Sequence, residues 1–325
     1  MKILRMLLLA LGFAGMSCGK QGAVADSAAV AGEGTEMSEV STMFSADSAY
    51  TYLERQVDFG PRVPGSVPHR KCGEWLESEL KRHGAQVTVQ DVTLRAFDGT
   101  ALPSRNILGQ FNPDVSDRTL LLAHWDTRPW ADEDPDENNR KKPVPGANDG
   151  ASGVSVLLEL ARVLGESGTD QGVDILFVDA EDYGTEGDDL SWAMGARHFA
   201  QNPPINGYRP SRAILLDMVG GENAVFRREY FSQQEASDLV DAVWAAAARA
   251  GYADRFSNEW GGAITDDHLE FLKIGVPAID VIAFSPETGF PPTWHTLSDN
   301  MEHIDRNSLK AVGATLLVFL GAGIK

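Results

Sequence analysis

The chain has 325 residues, 43% of them hydrophobic, with ordinary glycine and proline, so it reads as globular and long enough for one large core or two modest ones. Its formal charge of -19 repels phosphate backbones and anionic headgroups, which argues against nucleic acid or peripheral membrane binding through basic patches. No repeat or coiled-coil pattern is present.

At the amino terminus, Lys2 and Arg5 precede an apolar run over 6–16 and small residues up to Cys18. This is the form of a secretory signal, too short to span a bilayer. Gly15-Met16-Ser17-Cys18 resembles a bacterial lipoprotein cleavage site, where the cysteine is acylated and becomes the new terminus, although Gly15 stands where leucine is usual. The expected organisation is a signal over 1–18, a flexible tether over 19–42 with little large apolar content, and a single catalytic domain over 43–325. The protein would then be exported and periplasm-facing, touching the membrane only through a lipid on Cys18. Cys72 would be the remaining cysteine, without a disulfide partner. It falls among Trp75, Leu76 and Leu80 at helical spacing and reads as a core residue.

Helical periodicity covers 45–56, 68–83, 151–165, 234–250 and 306–320, and strand patterns cover 86–93, 106–110, 120–124, 173–178, 213–218 and 278–283. Two early strands followed by alternating helix and strand predict one α/β domain, its sheet mixed, parallel in the middle and covered by helices on both faces. In the third helix Val154, Leu157, Leu158 and Ala161 form one apolar face, which packs that helix on the sheet and fixes Asp149 at its start.

Asp149, Glu181, Asp182 and His295 each stand in a loop just outside a hydrophobic element. In open α/β sheets such loops converge at the carboxyl ends of the strands. One imidazole and two carboxylates with an open position suit a catalytic zinc, leaving Glu181 beside the metal as a base. Asp132, Glu133, Asp134, Asp136 and Glu137, followed by Arg140, Lys141 and Lys142, offer oxygen ligands without the glycine-spaced loop of an EF-hand, and read as a solvated excursion near the mouth of the site. His198 and His268 sit in helix-like segments with packing or capping roles. Trp244 reads as core, whereas Trp192 and Trp260 are candidates to contact a peptide.

Six ordered motifs then carry a resemblance: Leu-Leu-Ala-His-Trp-Asp-Thr, Pro-Gly-Ala-Asn-Asp-Gly-Ala-Ser-Gly, Phe-Val-Asp-Ala-Glu-Asp, Leu-Leu-Asp-Met-Val-Gly, Asp-Asp-His-Leu-Glu-Phe-Leu-Lys-Ile-Gly-Val-Pro and Trp-His-Thr-Leu-Ser-Asp-Asn. With Phe-Gly-Pro-Arg-Val-Pro-Gly-Ser from Phe59 onward, the chain resembles the superfamily of zinc aminopeptidases and animal-type glutaminyl cyclases over its whole folded domain. The resemblance implies a three-layer α/β/α sandwich with a central mixed, mostly parallel sheet and the metal above the strand ends.

Within that superfamily, two-metal aminopeptidases use positions matched here by His124, Asp149, Glu181, Asp182, Asp217 and His295, so the ligand count leaves two zinc ions open. Trp294 before His295, the Asp266-Asp267-His268 run and the Asp217 motif look like glutaminyl cyclase, which implies one zinc per chain on Asp149, Asp182 and His295. The implied reaction converts the amino-terminal glutamine of peptides and exported proteins to pyroglutamate, with release of ammonia. In it Glu181 is the acid and base, Asp217 and Asp266 form a proton-sharing pair on the γ-amide nitrogen, and Trp294 and Phe290 wall the pocket. His124 is a metal ligand in the peptidase reading and a supporting neighbour in the cyclase reading. Two positions depart from the animal pattern: Asp182 replaces a glutamate ligand, and Asp280, expected with Trp294 and Phe290 among the substrate-binding residues, replaces a histidine of the proton network. A catalytically dead binding module is the remaining reading, opposed by the complete set of ligands and base.

Overall fold

The computed structural model describes residues 41–321; the expected signal with Cys18, and residues 19–40 of the expected tether, lie outside them. Chain order runs α1 (Ala46–Asp58), α2 (Val67–Arg82), β1 (Gln86–Arg95), β2 (Ala101–Phe111), β3 (Arg118–His124), α3 (Ala151–Ser167), β4 (Gly172–Val178), α4 (Met194–Gln201), β5 (Arg212–Asp217), β6 (Phe226–Arg228), α5 (Tyr230–Glu235), α6 (Ser237–Arg249), β7 (Phe256–Trp260), α7 (His268–Lys273), β8 (Ala278–Ile282) and α8 (Arg306–Leu320). Local chemistry sets the helix starts: Ser45, Ser66 and Asp305 are N-caps whose side chains accept from Ser48, His69 and Asn307 N–H groups.

Six strands form one sheet in the order β1-β2-β4-β3-β5-β8. β1 pairs with β2 and β2 with β4 in antiparallel fashion, while β4, β3, β5 and β8 are parallel neighbours. β3 and β4 are buried along their whole length, as expected of continuous apolar runs covered on both faces, whereas no residue of the edge strand β1 is fully buried. One face carries Leu121, Ile175, Ile214 and Ile279 against α1, α2, α3, α6 and α8, with Cys72 sealed in that core. The other carries Leu122, Leu176 and Leu215 against α4 and α7. This is the expected three-layer α/β/α sandwich. Gly153 lets α3 approach closely, because a Cβ there would stand 2.2 Å from the Leu216 carbonyl oxygen of β5.

The chain leaves β3 through α3 to β4 on one side and returns through α4 to β5 on the other side, so the strand order reverses around β3. Crevices form at such a reversal, outside the carboxyl ends of the strands. His124, Val178, Asp217 and Ile282 close β3, β4, β5 and β8 at that edge.

Two expectations need correction. The strand expected over 106–110 begins at Ala101, because residues 101–105 pair with 91–95 across a tight turn, while Pro103 and the buried polar Ser104 hide the strand period in the sequence. The helix expected over 234–250 is two helices, broken at Ala236 where φ is -143°. Strands β6 and β7, of 3 and 5 residues, are too brief to show a period.

Candidate active site

Asp149 is aimed by a loop held from below. The buried Arg62 guanidinium donates to the carbonyls of Trp125, Pro145 and Gly146 at 3.3, 2.7 and 2.5 Å, and the Asp299 carboxylate accepts from the Asn148 and Asp149 N–H groups at 2.7 and 3.1 Å. Gly146 and Gly150 take φ of +66° and +57°, and a Cβ on Gly146 would lie 2.2 Å from Thr127 Cγ2.

Glu181 and Asp182 follow β4 through Ala180, whose φ is +53°. A second buried carboxylate, Asp126, accepts from both of their N–H groups at 3.1 and 3.3 Å. Behind the turn, Asp179 is fixed by His69 Nε2 at 2.8 Å and the Arg105 N–H at 2.6 Å.

His295 itself has φ of +52°. Its carbonyl accepts from Glu133 N–H at 3.2 Å, Asp134 accepts from Leu297 N–H at 3.0 Å, and Asp132 lies 3.7 Å from Nδ1. The acidic segment expected to be a solvated excursion is therefore partly structural, with Asp134 buried. The Trp294 indole stacks on the imidazole, centroids 3.7 Å apart and planes inclined at 23°. Trp192 lies parallel to it at 6.2 Å.

These three loops bring Asp149, Asp182 and His295 together, with one donor atom of each within 4.8 Å of the others. His295 Nε2 stands 3.2 Å from Asp182 Oδ1 and 3.6 Å from Asp149 Oδ2. A tetrahedral zinc with bonds of about 2.1 Å spaces its donors by roughly 3.4 Å, so the set fits that ion. His124, Asp149 and Asp217 form a second possible cation group, with His124 Nε2 at 3.0 Å from Asp149 Oδ1 and 3.2 Å from Asp217 Oδ1. Burial opposes charge on His124, but Asp126, Asp149 and Asp217 outweigh it and hold its pKa well above the usual range.

Asp149, Asp182 and His295 border a cleft of about 490 Å³, which Glu181, Asp217, Asp266, Phe290 and Trp294 also line. Its apolar wall is Met218, Ile264, Ile282, Phe284, Phe290 and Trp294, the last two stacked with centroids 4.4 Å apart. Burial pushes the carboxyls of Glu181 and Asp266 well above the ordinary range, and like charges, Asp182 beside Glu181 and Asp217 beside Asp266, add to the shift. Asp217 is raised for the same first reason.

Asp280 does not line the cleft. It is buried behind it, both side-chain oxygens without hydrogen-bond partners, its carboxyl pushed up by burial and then by Asp266 and Asp217. Asp280, expected among the substrate-binding residues, is thus not part of the cleft lining. Trp260 is also outside the cleft, half exposed and edge-on to Tyr230, whereas Trp192 lines it and Trp244 is core. His268 begins α7, buried, with Nε2 3.3 Å from Glu229 Oε2.

Sequence reading passed over Arg128, Asp126 and Glu229. Buried Arg128 donates to the carbonyls of Asp182 and Gly184 and pairs with Asp132, so it ties the Asp182 loop to the segment between β3 and α3. Glu229 accepts from Ile264 N–H at 3.1 Å, which holds the segment leading to Asp266. Asp126 alone had a visible signal, two residues after His124 at the end of a strand.

Comparison with known proteins places this arrangement. A model described as Peptidase family M28 matches residues 106–320. A solved glutaminyl cyclase of Bacteroides thetaiotaomicron, bound to N-acetylhistamine, is 50% identical with a TM-score of 0.84, covering 87% of this chain and 98% of its own. A Bacteroides thetaiotaomicron structure described as a leucine aminopeptidase precursor is 49% identical with a TM-score of 0.83, covering 87% and 98%. The glutaminyl-peptide cyclotransferase of Bos taurus is 26% identical over 318 residues, 89% of this chain and 82% of its own.

Proposed function

The chain belongs to peptidase family M28, and on that premise we propose that it is a zinc-dependent glutaminyl-peptide cyclotransferase acting on amino-terminal glutamine. The observation that carries this reading is half identity, over nearly the full length of the relative, with a solved bacterial glutaminyl cyclase. The cleft agrees with it: a metal-ligand set, a buried carboxylate beside it and an aromatic wall.

Asp149, Asp182 and His295 would hold a single zinc, which when bound would supply Lewis-acid polarisation of the substrate's γ-carbonyl. Glu181 accepts a proton from the α-amine as its nitrogen bonds to the γ-carbon, and delivers it to the departing amide nitrogen, which leaves as ammonia. A carboxyl pKa raised by burial suits both transfers. Asp217 and Asp266 hold the γ-amide nitrogen and share a proton, since two adjacent buried carboxylates resist ionising together. Asp280 sits behind them as a further proton-holding carboxyl. Trp294 and Phe290 keep water from the reacting carbon, which favours cyclisation over hydrolysis.

A dizinc aminopeptidase is the second reading, favoured by the His124, Asp149 and Asp217 group and by the relative described as a leucine aminopeptidase precursor. Gln-naphthylamide and Leu-naphthylamide, assayed side by side with zinc quantified per chain, separate the two. Ammonia from the first, no cleavage of the second and one zinc establish the cyclase. Leucine cleavage with two zinc ions overturns it. N-acetylhistamine, to which the Bacteroides thetaiotaomicron relative is bound, is expected to compete with substrate here as well.

For location, the reading is an exported, periplasm-facing lipoprotein anchored at Cys18. Mass spectrometry of the mature amino terminus tests this, and an unmodified Cys18 would refute it.

A further inference from the structure

Every charged side chain lining the cleft, His295 aside, is a carboxylate, and no lysine or arginine lines it. Asp149, Asp182, Glu181, Asp217 and Asp266 have places in the reaction already described. Glu186 and Asp189 do not. Both are exposed at the rim and neither makes an ion pair among the described residues.

Their loop is built and held. Ser191 Oγ accepts from Thr185 N–H at 2.8 Å and donates to the Asp188 carbonyl at 2.6 Å, while Asp188 caps the following turn through Leu190 N–H. Arg128 donates to the Gly184 carbonyl at 3.3 Å, joining the loop to the Asp182 turn. Two exposed carboxylates without ion-pair partners among the described residues thus stand on a hydrogen-bonded loop that lines the cleft. The overall charge of -19 gives an approaching cation the same favourable sign.

We propose that Glu186 and Asp189 select substrates in which the residues directly after the amino-terminal glutamine carry lysine or arginine. The inference rests on the cyclase reading and adds the substrate class. A cation there gains two exposed attractions, whereas an acidic residue meets two repulsions, and salt screens both.

The test is kcat/KM for Gln-Lys, Gln-Ala and Gln-Glu amides with the full-length protein at low and high salt, followed by the E186K/D189K double variant. The expected order is lysine, alanine, glutamate, with roughly three- to tenfold between the first and last at low salt. High salt should compress that ratio, and the double variant should invert it. Equal rates for the three amides, or a lysine preference that survives in the double variant, would overturn the proposal while leaving the cyclase intact. Absence of turnover on Gln-Ala itself would instead refute the cyclase, and the substrate class with it.

Discussion

Asp126→Ala separates the residues that aim the site from those that react in it. The Asp126 carboxylate is fully buried and accepts the N–H groups of Glu181 and Asp182, at 3.1 and 3.3 Å. Truncation leaves two buried amides without their acceptor, at about 1–3 kcal/mol each, so a loss of about 2–6 kcal/mol in stability is expected. That is a large fraction of the 5–15 kcal/mol of a typical domain, about. Asp126→Asn keeps one acceptor oxygen and should lose roughly half as much. Because Asp182 is carried by the same turn, zinc affinity should fall by about 10–100-fold. Denaturant melts and competitive zinc titration measure the two effects. Excess zinc should restore much of the turnover, since Asp126 touches no reacting atom. Wild-type stability together with wild-type zinc affinity in Asp126→Ala would refute the claim that this carboxylate holds the turn.

Glu181→Gln should behave in the opposite way, keeping zinc while losing at least about 10²-fold in kcat, and turnover within tenfold of wild type would remove Glu181 as the base. Since Glu181 must be ionised to accept the amine proton and burial raises its pKa, the acid limb of kcat/KM should lie above the ordinary glutamate range and vanish in that variant. His295→Ala deletes one of three donors, so zinc per chain should drop well below stoichiometry; full occupancy would exclude it as a ligand. Cys72 is sealed in the core with its thiol pushed up to about 12 by burial, so a thiol reagent at pH 8 should leave it unlabelled until the protein unfolds.

The sequence by itself determined the elements with strong periods and the chemistry at their ends. Buried parallel strands announce themselves as continuous apolar runs, and β3 and β4 were legible for that reason. Asp149, Glu181, Asp182 and His295 were legible because carboxylates and an imidazole beside such runs have few structural reasons to be there. Tertiary structure decided what no local pattern encodes. Asp126 and Asp299 hold the N–H groups of turns 55 and 151 residues away, and Arg62 supports a loop 84 residues on. Asp280 is buried within β8, where pairing with β5 sets its register, whereas Asp266 lines the cleft from the loop before α7. Backbone pairing and burial are long-range consequences of the fold, so the residues that react can be guessed from the chain, but those that hold them in place become visible only when the strands are assembled.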